Sequence, residues 1–415
     1  MLSRPCHSVC FSLYIRVQEG TFRYDVFFVF AAANRRFLQQ ICELTMCGRA
    51  CFKLSAWSGS AIFLAMMHMC NLRVLHLQFE LDQLDERSYR SEWVRQCGLS
   101  RLLARGLRAC PRLTSVKLVE GACLRWQGIW LPCLQDYAIT EFASEFMLCD
   151  DACARTIASW KCLRLLDLGT VSFVAEASSL ACVLESASVS GQLEVLSVGC
   201  LYIEDDPAAW EALVGSLFRC PMLRRVVFRE VEKITDRLRS CQLPAWIKEV
   251  ALLNSDCMCR TPADAAAAAR WIGRLISAIA DLRLLDISGT LMNEVCFRTV
   301  AASIPSGSLR SLLLECCLED DHIGSLISLL KRSPNIVTLD LKACRLCQPS
   351  PEFVMVLSRM QHLRKVEFDH VWHNSYSDMM LEAGFVHARP FSRVLIRPFS
   401  GRSDPFNDFN VTGMG

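Results

Sequence analysis

What this sequence lacks narrows its function before anything it contains. Its formal net charge is only +2 over 415 residues, so no global electrostatic drive toward nucleic acid or an anionic membrane exists. No apolar run approaches the ~20 residues of a membrane-spanning helix, since Val26 to Ala33 and Ala61 to Met69 both stop well short. The apolar stretch from Val9 to Ile15 is interrupted by Ser12 and Tyr14 and meets Arg16 at once, unlike the core of a secretory signal. A G-x-x-x-x-G-K-[ST] phosphate loop and a G-x-S-x-G nucleophile elbow are both missing, which removes P-loop nucleotide chemistry and the α/β-hydrolase arrangement.

Cysteine, by contrast, is abundant, with 24 residues. In a short secreted chain that number would read as a disulfide framework, but 52% apolar residues give this chain ample core without covalent staples. Several of the cysteines stand at apolar repeat positions, where a free thiol behaves as a small hydrophobe. A reducing cytoplasmic or nuclear compartment is therefore expected, and the sequon Asn410-Val411-Thr412 is a triplet of the kind that occurs by chance.

The dominant signal is self-similarity. The pattern L-x-x-L-x-L recurs at Leu72/Leu75/Leu77, Leu163/Leu166/Leu168, Leu193/Leu196/Val198, Leu282/Leu285/Ile287, Leu309/Leu312/Leu314 and Ile336/Leu339/Leu341. Looser copies are Leu113/Val116/Leu118, Leu134/Tyr137/Ile139, Leu223/Val226/Phe228, Ile247/Val250/Leu252 and Leu363/Val366/Phe368. The starts at 282, 309, 336 and 363 are 27 residues apart, and those at 163, 193 and 223 are 30 apart. The last two apolar positions of each copy alternate with polar ones, the period of a half-buried strand. The intervening segments predict helices: Asp206-Pro207, Thr261-Pro262 and Ser350-Pro351 each set a capping oxygen before a proline at the first helical position. From Ala263 onward Trp271, Leu275 and Ile279 share one helical face.

These residues resemble the leucine-rich-repeat superfamily over roughly Leu72 to Val371, about three-quarters of the chain. The 27-residue register is similar to the ribonuclease-inhibitor type. Cys220-Pro221-Met222-Leu223 with Ile234, Thr235, Asp236 and Leu238, echoed by Cys110-Pro111-Arg112-Leu113, resembles the cysteine-containing repeats of F-box substrate receptors. In both subclasses the slot eight residues after the first leucine holds a side chain that partners the turning backbone. Ser255, Thr290, Cys317 and Cys344 fit that slot, whereas Val171, Leu201, Val231 and Val371 depart from it. The resemblance implies an α/β fold: a right-handed solenoid, or horseshoe, with parallel strands on its concave face and helices on its convex face. The expected organisation is an N-terminal cap over 1–71 that admits a degenerate repeat, an array of about 10–11 repeats over 72–375, and a C-terminal cap and tail over 376–415.

Residues that could carry chemistry have simpler explanations. Cys257-x-Cys259 and Cys344-x-x-Cys347 lack the second pair that tetrahedral zinc requires. His362, Asp369, His370 and His373 read as a polar last repeat, and Glu319-Asp320-Asp321 as carboxylates at a helix start. No catalytic residue, metal or cofactor is expected. The resemblance implies a monomeric scaffold that binds a protein partner on its concave strand face, with neither nucleic acid nor membrane as partner. The alternative is a ubiquitin-ligase substrate receptor with a degenerate F-box before residue 70. The expected partner-binding residues, aligned into columns by the 27-residue register, are Asp286, Ser311, Leu313, Thr338, Asp340, Lys365 and Glu367. A second motif runs beside them, with Arg73, Arg164, Arg224, Lys248, Arg283, Arg310 and Arg364 each following the first leucine of a copy.

Overall fold

A computed structural model describes residues 11–17, 35–48, 62–78, 89–119, 127–144, 151–169, 174–199, 207–229, 242–254, 262–290, 292–346, 350–368, 375–382, 384–387 and 394–397. The chain divides into two compact units, Met1–Ile247 and Lys248–Gly415. The fold class in each is that of an α/β leucine-rich-repeat solenoid.

In the first unit the strands are β1 (Phe11–Val17), β2 (Ile41–Gly48), β3 (Val74–Gln78), β4 (Ser115–Val119), β5 (Glu141–Ser144), β6 (Leu165–Leu168), β7 (Val195–Gly199) and β8 (Arg225–Arg229). Each from β1 to β7 pairs in parallel with its successor in the sequence. Helices alternate with the later strands, at Tyr89–Arg108, Asp151–Ala158, Val174–Glu185 and Pro207–Leu217. The ladder therefore extends N-terminal of Leu72: Leu44 stands opposite Leu75 and Met46 opposite Leu77, so Ile41, Leu44 and Met46 form a further copy of the pattern.

The second unit contains β9 (Glu249–Leu253), β10 (Leu284–Asp286), β11 (Ser311–Leu313), β12 (Thr338–Leu341) and β13 (Lys365–Phe368), all parallel. Helices Pro262–Ser277, Glu294–Ser303, Ile323–Arg332 and Pro351–Arg359 lie between them in sequence. β15 (Val394–Ile396) then closes on β13 in the antiparallel sense, with β14 (Val386–His387) outside it. Ser350 caps its helix as its sequence predicts, its hydroxyl accepting from the Phe353 N–H at 3.3 Å. Asn293 caps another, accepting from Cys296 at 2.9 Å. Asp206 and Thr261, expected to do the same, lie outside the described residues.

The three apolar positions of each copy are the core. Leu282, Leu285, Leu309, Leu312, Leu314, Ile336 and Leu339 are all 0% exposed, as are Trp160, Leu163 and Leu166 in the first unit. A parallel strand cannot bury its apolar side alone, and stacking one copy on the next buries it continuously.

One expected copy is misplaced by five residues. The strand partner of Val116 and of Leu166 is Phe142, so the repeat between them reads Ile139/Phe142/Ser144 rather than Leu134/Tyr137/Ile139. Leu134 instead ends a 3-10 turn, and Tyr137 donates its hydroxyl to the Leu107 carbonyl at 2.8 Å. Ser144 is too small to fill a leucine position, and bulk enters from the side. Phe142 packs between Trp130 and Trp160 with ring centroids 6.4 and 5.2 Å away, and the Trp160 indole donates to Leu134 O at 2.8 Å.

Phe142→Ala should cost about 3–5 kcal/mol in urea denaturation, as large aromatic core deletions do, and Leu285→Ala or Leu339→Ala about 2–5 kcal/mol. A Phe142→Ala loss within the surface range of about 0.5 kcal/mol would restore Tyr137 as the strand residue.

Candidate protein-binding face

The turn after each of the strands β9 to β12 is built on two consecutive positions. The seventh residue after the first apolar one is left-handed in every copy from β9 to β12: Asn254 at φ 50°, Gly289 at 70°, Cys316 at 59° and Ala343 at 52°. At 289 glycine leaves room for the neighbouring repeat, since a Cβ there would fall 2.1 Å from the Asn254 side-chain oxygen and make that side chain shift. These N–H groups donate onward to the next repeat, Asn254 to Ser288 O at 2.9 Å, Gly289 to Glu315 O at 2.7 Å and Cys316 to Lys342 O at 2.9 Å. The eighth residue donates back. Thr290 Oγ1 meets Leu252 O at 2.7 Å, Cys317 Sγ meets Ile287 O at 2.7 Å and Cys344 Sγ meets Leu314 O at 3.0 Å. The slot residues are thus short donors in a dry wall, and burial pushes the Cys344 thiol up to about 11 and the Cys317 thiol higher still. Ser255, the remaining expected slot, lies outside the described residues, as do Cys257, Cys259, Cys347, Asp369, His370 and His373.

Fixing the turns fixes the outward columns. Leu284, Ser311, Thr338 and Lys365 stand opposite one another on successive strands, and Asp286, Leu313, Asp340 and Glu367 form the next column. All seven expected binding residues therefore stand in two adjacent files. Their environments differ. Asp286 and Asp340 each turn a carboxylate oxygen onto a backbone N–H two residues on, of Ser288 and Lys342 respectively, both at 3.0 Å. Asp340 and Glu367 are also only 8% exposed, so they do not project freely into solvent as an outward strand position suggests.

The residue that draws them down is Lys342, which the sequence reading missed. Its ammonium lies 3.0 Å from Asp340 Oδ2, 3.2 Å from Glu367 Oε2 and 3.6 Å from Glu315 Oε2, and Lys365 pairs with Glu367 from the other side. Burial raises the Asp340 carboxyl above its ordinary value; the Lys342 N–H and ammonium oppose this, while the Glu367 charge reinforces it. For Glu367 burial also acts upward, but Lys365 and Lys342 together outweigh it and the net direction is down. The missed signal was parity, since Lys342 stands six residues after Ile336 and shares the outward face with positions two and four.

The first unit carries a comparable polar brace. Arg229 on β8 reaches Ser197 on β7, with Nε at 3.2 Å and Nη2 at 2.6 Å, and ion-pairs with Asp167 on β6. The acidic run at 319–321 opens a helix, where Glu319 N–H donates to His322 Nδ1 at 3.1 Å. Among the described residues no group of three or more His, Cys, Asp or Glu side chains is placed to hold a metal ion. None of the described helices is long and apolar enough to cross a membrane.

The fold and its outward columns define a class, a leucine-rich-repeat solenoid with a mixed polar and apolar strand face. No protein family matches the chain, and no curated protein matches it in sequence. Among solved structures, a chain from the crystal structure of the Rad7 and Elc1 complex in yeast is similar to it at 11% identity and a TM-score of 0.43. The similarity covers 81% of this chain and 72% of that one.

Lys342→Met should destabilise the second unit by about 1–3 kcal/mol at about pH 7, because it leaves the buried Asp340 carboxylate without its ammonium while Glu367 keeps Lys365. Asp340, held above its ordinary value by burial, takes up a proton first on acidification, so that penalty should be smaller at mildly acid than at neutral pH. An equal penalty at both pH values, by chemical denaturation, contradicts the network.

Proposed function

We propose that this chain is a non-catalytic scaffold that holds a protein partner against the strand face of its second unit. The observation that carries the reading is the pair of files on β10 to β13, which brings residues 27 apart in sequence side by side on a fixed backbone. The half-buried Leu313 and Leu284 supply apolar contact among Ser311, Thr338 and Lys365. A few apolar anchors within a polar surround is the composition of protein interfaces, where a handful of side chains dominate affinity. The ion-paired Asp340, Lys342 and Glu367 hold that surface in shape and leave Lys365 and the Ser311–Thr338 row as the contact edge.

A ligase substrate receptor would need a three-helix recruitment module before residue 70. Residues Phe11–Val17 and Ile41–Gly48 are strands of the ladder, which favours the plain scaffold.

A photo-crosslinking side chain at Leu313 or Thr338 should capture a discrete protein from native cells, and one at Val295 on the helix side should not. Leu313→Arg with Thr338→Arg should then weaken that partner by tenfold or more, on the order of 1.4 kcal/mol, without loss of the folded signal. Capture only from Val295, or unchanged affinity in the double variant, removes the strand face as the site.

A further inference from the structure

The ladder of the second unit changes sense at its last rung. β13 takes β12 in parallel on one side and β15 antiparallel on the other, with Lys365 opposite Ile396, Val366 opposite Leu395 and Glu367 opposite Val394. So short a pairing is marginal by itself. What fastens β15 lies one residue beyond it, at Arg397. Its backbone N–H donates to Arg364 O at 2.9 Å, and its guanidinium gives Nη1 to Met360 O at 2.8 Å and Nη2 to Ser358 O at 3.0 Å. Leu357 O lies 3.4 Å from the same Nη2. These carbonyls stand at the end of the helix Pro351–Arg359, where the last turn runs short of intrahelical donors. The Phe385 ring, one residue before β14, packs under the guanidinium with its centroid 4.5 Å from Cζ. One side chain thus ties the two strands of the hairpin to the helix beside β13.

The edge that this hairpin covers is self-complementary. β13 reads Lys365-Val366-Glu367-Phe368. Two copies related by a two-fold axis through Val366 run antiparallel, the sense in which the edge already accepts β15. In that register Lys365 of each copy faces Glu367 of the other, giving two opposite-charge cross-strand pairs on the outward side. The fully buried Val366 of each copy meets its counterpart on the core side. We propose that β14 and β15 form a releasable strap, pinned by Arg397, over a dimerisation edge for a second copy of this chain. Charge selects that occupant, since an unrelated strand would not set an acid against Lys365 and a base against Glu367. The strap is tethered, so its effective concentration is on the order of mM, and the closed monomer prevails until the pin is lost. This edge is separate from the strand-face contact and needs no partner protein.

The test uses the full chain in sedimentation velocity, from about 5 to 500 µM, below the concentration of the tethered strap. The wild-type chain should stay monomeric. Arg397→Ala should dimerise as concentration rises, and its amide exchange over residues 394–396 should quicken by about tenfold or more as the strap opens. In that background Lys365→Glu should abolish the dimer by setting like charges opposite each other. Adding Glu367→Lys to it should restore the dimer, because the pairs are then exchanged and not lost. Should the Glu367 change lower the melting temperature, a synthetic peptide of residues 384–397 serves instead, and it should return Arg397→Ala to monomer. An Arg397→Ala chain whose strap exchanges fast yet stays monomeric overturns the proposal. Unchanged exchange removes Arg397 as the pin and overturns it equally. So does a dimer indifferent to Lys365→Glu and to the peptide, which is association through another surface or by strap exchange between chains.

Discussion

Every outward column on the second unit depends on one arrangement, the two-way hydrogen bonding of the turn that follows each strand. A left-handed residue sends its N–H forward to the next repeat, and its neighbour's hydroxyl or thiol reaches back to the previous one. The carbonyls at Leu252, Ile287 and Leu314 sit at the rim of an apolar wall where water does not reach, and an unpaired buried carbonyl costs about 1–3 kcal/mol. Ile287 O and Leu314 O also accept the Thr290 and Cys317 N–H groups at 3.1 Å, and the slot side chain of the next repeat, Cys317 or Cys344, adds a second donor to each. Left-handed backbone at Cys316 and Ala343 itself costs about 1–2 kcal/mol per residue, so the turn is held in place by its bonds and not by local preference.

With the turn fixed, strand register follows, and register sets what the surface can do. A slip of one residue would send Leu285, Leu312 and Leu339 to solvent and the Asp286–Glu367 file into the core. The apolar column resists that slip from within. The Lys342 ion pairs resist it from outside, since they cross from β12 to β13 and to the turn at Glu315. The strand face is thus a consequence of that ladder.

Much of this was legible in the sequence wherever leucine itself marks the frame. The 27-residue spacing from 282 to 363 predicts the pairing of β10 to β13 directly, because alternation and spacing agree. Legibility fails where another residue does the leucine's work. Ile139/Phe142/Ser144 hides a strand behind a phenylalanine and a serine, while Leu134, held in a 3-10 turn, mimics the start of one. Ile41/Leu44/Met46 hides another through a methionine. Burial of Asp340 and Glu367 was not readable at all. Each occupies an outward position by parity, and only the arrival of Lys342 beside both turns them inward.

Strand register underlies the whole outward face, and a distance across repeats reads it. Spin labels at Ser311 and Lys365 stand on β11 and β13, two rungs apart in one file though 54 residues apart in sequence. Two rungs span about 9.6 Å between backbones. Pulsed or continuous-wave measurement should therefore give a narrow distribution with a label separation below about 20 Å, given that backbone spacing. A broad distribution, or one centred well beyond that distance, would contradict the ladder and with it the face it builds.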